Sequence, residues 1–236
     1  MSGNLLRYAP WQLRDFIRER GFAVMFIGLA IGFTFIAPMR AMSVRLSESA
    51  ARQLLVAIIG QLAFLAAFIS FNGMISNDRK LGYFRFLFAK PVSIPAYYVQ
   101  IFVIFFVGYL TVFALLLGIF SASVHPTFPM GVLVYSALVF FSLGGIAFFV
   151  SSLFRHDWPV LAGVFLGTTI IRSQLSAAGG WREIVLALLP PIHKLMPMAS
   201  LANGAAVDWP AVYWLLGYSA LFFVAGVLVL RRRSFA

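Results

Sequence analysis

A stretch of 64 residues, Pro91–Phe154, contains no Asp, Glu, Lys or Arg. One helical crossing of a membrane needs about 20 apolar residues, so this stretch is too long for one crossing and suits two. Two prolines and several small polar residues lie in the segment 121–129 and break the helical pattern. The stretch therefore predicts two membrane-spanning helices, at about residues 95–120 and 130–153.

Further apolar runs of similar length lie on both sides of this stretch. They predict spans at about residues 21–39, 53–76, 158–178 and 210–230, which brings the total to six. Charged residues make up 11% of the chain, against about 25% in a typical soluble domain. The sequence therefore predicts an all-α integral membrane protein with a single transmembrane domain, 1–236, embedded in the lipid bilayer.

The segment before the first span predicts an interfacial helix. Residues 1–20 contain four arginines, and Leu13, Phe16 and Ile17 share one helical face. The alternative is a basic flank that only fixes the orientation of the first span. Within that span, Gly28 and Gly32 form a GxxxG pair, which permits close helix packing.

The segment Ile184–Leu201 is apolar but contains three prolines. Proline removes a backbone hydrogen bond inside a helix and kinks or breaks it, so a straight crossing is not expected. Non-helical backbone at membrane depth is tolerated only where protein or water covers it. The sequence therefore predicts a re-entrant or surface segment on the outer side.

Basic residues are distributed unevenly between the predicted loops. Of the 18 Lys and Arg residues, 12 fall in the two termini, in Asn77–Ser93 and at Arg155. Because basic residues accumulate in cytoplasmic loops, both termini and Asn77–Ser93 are predicted to face the cytoplasm. The localisation expected is the plasma (inner) membrane, as a multi-pass protein. The basic residues flank apolar spans, and nucleic-acid binding is not expected.

Asn77–Ser93 is a charged island between the second and third predicted spans. Leu81, Phe84, Leu87 and Phe88 recur at spacings of three and four, which predicts a short amphipathic helix. Pro91 ends it, because the residue before a proline is disfavoured in helical geometry. A helix of this kind lies on the membrane surface or docks onto another protein. The alternative is a solvated loop that only joins two spans.

The island resembles the loop between the second and third spans of ABC-2-type permeases, the membrane subunits of ATP-binding-cassette exporters. The matching residues are Asp78, Arg79, Gly82, Phe86, Leu87, Pro91, Val92 and Ser93. The run Ser151–Arg155 is also similar to a run that this family often has before its fifth span.

The resemblance implies a six-helix half-transporter whose cytoplasmic coupling helix sits on an ATPase. The partners implied are two copies of an ATP-binding-cassette ATPase subunit and a second permease subunit. ATP and Mg²⁺ would be bound by the ATPase and not by this chain. Together with the apolar face of the island, the resemblance marks the ATPase-coupling interface as Asp78, Arg79, Gly82, Phe84, Leu87, Phe88 and Pro91.

The chain lacks the motifs of an energy-converting enzyme. It has no GxxxxGK[ST] phosphate-binding loop, no HExxH and no cysteine, and none of its seven acids lies inside a predicted span. Catalytic and metal sites are therefore not expected, and energy must come from a partner. The function predicted is an exporter permease for an amphipathic or hydrophobic substrate. The alternative is a non-transporting membrane anchor or assembly factor that transmits ATPase-driven mechanical work. The substrate, the transport direction and the homo- or heterodimeric state stay open.

Overall fold

The computed structural model describes residues 6–41, 47–81, 93–123, 129–154, 156–175 and 180–232, and all regular structure in these ranges is helical. Nine α-helices are described: α1 Ala9–Phe16, α2 Phe22–Ala41, α3 Glu48–Phe71, α4 Ser76–Leu81, α5 Ile94–Ser123, α6 Pro129–Leu153, α7 Asp157–Leu175, α8 Trp181–Leu188 and α9 Trp209–Arg232. Short 3₁₀ helices occupy Leu6–Tyr8, Ile192–Lys194 and Pro197–Asn203, and a π-helical turn, Ile17–Gly21, joins α1 to α2.

The long helices are those of a membrane-embedded protein. In the described part of the chain, α3, α5, α6 and α9 are long and apolar enough to cross a membrane. The bent pair formed by α8 and Ile192–Asn203 adds a fifth if it counts as one crossing. Helices α2 and α7 coincide with the first and fifth predicted spans, and the full set of six crossings stays a prediction.

One helix ends earlier than expected, and one expected break in a helix is present. Helix α3 stops at Phe71, before the predicted end of the second span at residue 76. Gly73 has a φ of +71°, a left-handed conformation that no α-helix can continue through, and the chain turns there before α4. The segment Ile184–Leu201 is not a straight helix, because α8 ends before Pro190 and the two parts are bent by 74°. The predicted break in this segment is therefore confirmed.

Helix α6 lies at the centre of the bundle. It packs against α3, α5 and α9 and against the 3₁₀ helix Pro197–Asn203. The core is aromatic: the ring of Phe102 in α5 lies 5.4 Å from Phe140 in α6 and 4.9 Å from Phe223 in α9, between ring centroids. Such pairs add about 0.5–1.5 kcal/mol each beyond their area burial.

Glycines allow α6 and α9 to approach closely. A Cβ atom at Gly145 of α6 would lie 2.1 Å from the carbonyl oxygen of Ser219 in α9. Gly226 of α9 faces Phe148 in the same way, with an added Cβ 2.7 Å from the ring. The Ser219 hydroxyl donates a hydrogen bond to the Phe141 carbonyl across this contact. Small residues at a helix contact are the usual means of tight packing in membranes.

We expect Gly145→Ala to destabilise the protein, because its methyl group would displace the α9 backbone. Overpacking of this kind typically costs about 1–3 kcal/mol. The matched control is Gly217→Ala in α9, where an added Cβ meets nothing within 4 Å. Thermal unfolding in mild detergent should show a lower midpoint for Gly145→Ala only, and equal midpoints for both variants would contradict the packing argument.

Candidate functional site

The turn Asn72–Ile75 is the centre of a buried polar cluster at one end of the bundle. It connects α3 to α4, and the charged island begins directly after it at Asn77. Side chains from α5, α6, α7 and the π-helical turn converge on the turn and on α4. We call this cluster the junction and define it as Arg20, Asn72–Ser76, Asp78, Tyr98, Ser151 and Asp157.

Arg20 holds the carbonyl side of the turn. Its side chain is 8% exposed, its Nη2 donates to the Asn72 carbonyl oxygen at 2.8 Å, and its guanidinium lies 4.4 Å from the Phe105 ring centroid. Burial lowers the pKa of the Arg20 guanidinium, and the carboxylates of Glu19, Asp157 and Asp78 act in the opposite direction. Cation–π contact and a charge-assisted hydrogen bond are the interactions that make a buried arginine tolerable.

Ser151 holds the amide side of the same turn. Its Oγ accepts hydrogen bonds from the backbone N–H groups of Ile75, at 3.2 Å, and Ser76, at 3.3 Å. These are free donors at the start of α4, where no helical carbonyl is available to them. The Ser151 hydroxyl in turn donates to Oδ2 of Asp157 at 2.7 Å. One serine of α6 therefore connects the turn to the first residue of α7.

Helices α1 and α5 are tied to this end of the bundle by further hydrogen bonds. Tyr98 of α5 donates its hydroxyl to Oδ2 of Asp78 at 3.1 Å, with the tyrosine fully buried. Gln100 of α5 donates to Oε1 of Gln12 in α1 at 3.0 Å, and Gln12 is 3% exposed. The first acid of the charged island is thus partly buried and tied to α5.

The predicted site residues fall into two groups. Asp78 lies in the junction, and the backbone of Arg79 lies in α4. The other residues predicted for the coupling interface lie outside the described part of the chain, as does the predicted coupling helix: Gly82, Phe84, Leu87, Phe88 and Pro91.

The GxxxG pair of α2 lies next to α5. A Cβ at Gly28 would come within 2.6 Å of Cδ1 of Leu116, so α2 and α5 approach closely here. Gly32 lies one turn further along and lines a cavity of about 780 Å³ between α2, α3 and α5. The walls of this cavity are almost entirely apolar.

A groove of about 870 Å³ separates α3 from α7. Its volume lies within the range of about 300–1,000 Å³ that is usual for small-molecule sites. The lining residues are Ile27, Gln61, Phe64, Leu65, Phe68, Ile69, Asn72, Trp158, Thr168, Thr169, Arg172, Ile192, His193 and Met196. We call this the groove. Along α7 it extends from Trp158 to Arg172, a rise of about 20 Å at 1.5 Å per residue.

The groove is apolar along its length and polar at its ends. Phe165 packs edge-on against Phe64 and Phe68 between the two helices, at centroid distances of 5.8 and 4.8 Å. Thr168 and Thr169 bond to carbonyls of their own helix, so their hydroxyls need no further acceptor. One end of the groove reaches Asn72, which belongs to the junction.

The far end of the groove carries a cationic group. Nη2 of Arg172 donates to the Leu186 carbonyl of α8 at 3.0 Å, while its Nε is buried without a hydrogen-bond partner among the described residues. His193 lies beside it on the groove wall. An apolar trough with a positive end is suited to an amphipath whose head accepts hydrogen bonds.

Sequence reasoning missed the junction. Arg20 was counted with Arg14 and Arg18 as part of a basic flank, although it alone of the three is buried. The usable signal was its position directly before the apolar run that starts at Gly21. The sequence marks Ser151 only as part of the run Ser151–Arg155 and gives Asp157 no predicted role.

Within the described ranges, no group of three or more His, Asp or Glu side chains could hold a metal ion. The amino-acid sequence matches no protein-family model and no curated protein. The junction, the groove and the sequence motifs are therefore the basis for a functional proposal.

We expect Arg20→Ala to destabilise the protein, because it removes the hydrogen bond to the Asn72 carbonyl and the cation–π contact with Phe105. A hydrogen bond from a charged group contributes about 1.5–3 kcal/mol. The control is Arg18→Ala, two residues earlier and exposed. The thermal unfolding midpoint in detergent should fall for Arg20→Ala and stay at the wild-type value for Arg18→Ala. A wild-type midpoint for both would show that the contact with Asn72 carries no stability.

Proposed function

We propose that this chain is the membrane-spanning permease subunit of an ATP-binding-cassette exporter. It moves an amphipathic or hydrophobic substrate, and a separate subunit hydrolyses ATP. The observation that carries the proposal is the position of Asn72. This residue lies at one end of the groove and also in the turn from which the charged island departs. A partner that pulls on the island acts directly beside the groove.

The topology that belongs to this proposal has six crossings with both termini in the cytoplasm. Helices α2, α3, α5, α6, α7 and α9 supply the crossings, and α1 lies at the cytoplasmic interface. The segment between α7 and α9 is re-entrant from the outer side. Its buried residues Met198, Ala199, Leu201 and Ala202 support this, because Pro197–Asn203 packs between α3 and α6. The protein resides in the plasma (inner) membrane.

The partners in this proposal are an ATPase in two copies and a second permease subunit. Each ATPase seats on one charged island through the apolar face of Phe84, Leu87 and Phe88. ATP binding closes the ATPase pair, and the islands transmit that movement to the bundles. A non-transporting anchor would transmit the same force without a substrate path. The groove favours the permease, because its size and apolar walls suit a ligand.

The first test is a coupling experiment on the island. Phe84→Ala combined with Leu87→Ala should leave membrane insertion unchanged and remove the ATPase subunit or its stimulation by substrate. Central apolar anchors cost on the order of 2 kcal/mol or more when truncated, which corresponds to a loss of affinity of roughly 30-fold. Retention of the ATPase in mild detergent and ATP hydrolysis in reconstituted vesicles are the measurements.

The matched control for this experiment is Phe26→Ala combined with Leu29→Ala, two exposed side chains of α2. It removes the same types of apolar group at a distance from the island. If the island variant keeps insertion, ATPase retention and stimulation at the level of this control, the ATPase does not seat on the apolar face of the island.

The second test concerns the substrate path. Arg172→Gln should weaken the binding of an amphipath with an anionic head about tenfold, because a charge-assisted hydrogen bond is replaced by a neutral one. The probe is a photoreactive dodecyl phosphate, compared with the corresponding uncharged dodecanol. Labelling of groove peptides in nanodiscs is measured by mass spectrometry.

Arg182→Gln is the control for this experiment, because Arg182 is an exposed arginine of α8 outside the groove. Only Arg172→Gln should reduce labelling by the phosphate probe, and neither variant should change labelling by dodecanol. Equal labelling of the groove by both probes in all three proteins would mean that Arg172 does not select the head group.

A further inference from the structure

The contact between α6 and α7 has a feature that simple helix packing does not require. Ser151 in the last turn of α6 accepts two amides of the α3–α4 turn and donates to the first residue of α7. Ile75, Ser76 and Asp157 are 0% exposed, and Ser151 is 1% exposed. A displacement of the turn therefore changes the hydrogen bonding of Asp157 directly, with no intervening solvent.

Beyond Asp157, α7 makes few contacts with the neighbouring helices. Of its 19 residues, four are buried: Asp157, Leu161, Phe165 and Thr168. Gly163 and Gly167 have no neighbouring atom within 4 Å of an added Cβ. At the other end, Arg172 ties α7 to α8 by one hydrogen bond to a carbonyl. Between these two ends, the ring of Phe165 packs against Phe64 and Phe68 of α3. A helix held at its first residue and at one ring contact further along changes its tilt about that contact when the first residue moves.

The Asp157 carboxylate can accept a further hydrogen bond. Its Oδ2 accepts from Ser151, while Oδ1 is buried and has no hydrogen-bond partner in the described part of the chain. The hydroxyl of Ser76 is likewise buried without a partner. Buried polar groups are nearly always paired, so each such exception calls for an explanation. A shift of the turn can bring donors to Oδ1 while the bond from Ser151 persists.

We propose that Ser151 and Asp157 are positioning residues that transmit movement of the charged island to α7 and so set the width of the groove. This inference rests on the proposed function, since there the ATPase moves the island. The order of transmission is the island, the turn Asn72–Ser76, Ser151, Asp157 and α7. The α3 wall of the groove stays with the packed core, and the α7 wall tilts.

The test measures the groove width directly. The chain has no cysteine, so spin labels at Leu65→Cys in α3 and Ile170→Cys in α7 report the distance between the groove walls. Both side chains are exposed, at 43% and 60%. The full chain is measured in nanodiscs by pulsed electron resonance without any ATPase. Ser151→Ala and Asp157→Asn should each shift or broaden the distance distribution by about 2 Å, the size of known helix shifts in switching proteins.

Ser142→Ala is the matched control, because Ser142 is a buried serine of α6 whose hydroxyl has no partner among the described residues. It should leave the distance unchanged. A second label pair, Val134→Cys in α6 and Tyr213→Cys in α9, reports on the packed core and should be unaffected in every variant. A wild-type groove distance in Ser151→Ala and Asp157→Asn overturns the proposal, and so does an equal change in both label pairs.

The double variant shows whether Ser151 and Asp157 act as one unit or as two independent contacts. If the pair acts as a unit, Ser151→Ala combined with Asp157→Asn changes the groove distance no more than either substitution alone. Additive changes overturn the proposal. With the ATPase subunit bound, ATP should shift the groove distance in wild type and Ser142→Ala but not in Ser151→Ala, although Ser151→Ala retains the subunit. A full shift in Ser151→Ala also overturns it.

Failure of the proposed function looks different from failure of this inference. If wild type binds no ATPase, the exporter assignment fails, while the measurements without ATPase still decide whether Ser151 and Asp157 position α7.

Discussion

A break in a helix inside a membrane must find its hydrogen-bond partners within the protein, because hydrocarbon offers none. The described part of the chain has two helix breaks whose backbone is covered by other parts of the protein, the turn Asn72–Ile75 and the bent segment that begins after α8. The first is covered by Arg20 on its carbonyl side and by Ser151 on its amide side. The second is covered by packing, since Pro197–Asn203 lies against α3 and α6. Gly73 and the prolines set where the helices stop, and α6 contacts both breaks and covers part of each.

The bundle consists of a tightly packed part and a loosely packed part. Glycines bring α6 and α9 into backbone contact, and an added methyl group there has no room. Helix α7 has far fewer contacts with its neighbours than α9 has with α6, and its main attachments are Asp157 and the ring of Phe165 against α3. The groove lies where these two parts meet. Dense packing resists displacement and sparse packing permits it, and this difference underlies our proposal that the α3 wall of the groove stays in place while the α7 wall moves.

The sequence was sufficient to predict the helical class and the approximate extent of each long helix, because runs without charge are a local property of the chain. The break in Ile184–Leu201 was also predictable, since its prolines act on their own backbone. The junction was not, because its bonds join residues 52, 75 and 76 positions apart. Helical periodicity says which face a residue occupies but not which distant residue meets that face. For this reason the sequence pattern does not distinguish Arg20 from its exposed neighbours. It does not distinguish Ser151 from any other small polar residue in an apolar helix.

The position of Arg20 near the start of the chain has a consequence for the order of biogenesis. Its partners, the Asn72 carbonyl and the Phe105 ring, belong to the α3–α4 turn and to α5 and leave the ribosome later. Chains are made from the N-terminus, and early segments must wait for later ones. Until then the Arg20 guanidinium lacks both partners that the folded protein gives it. The surroundings of this buried arginine are therefore complete only after α5 has been made.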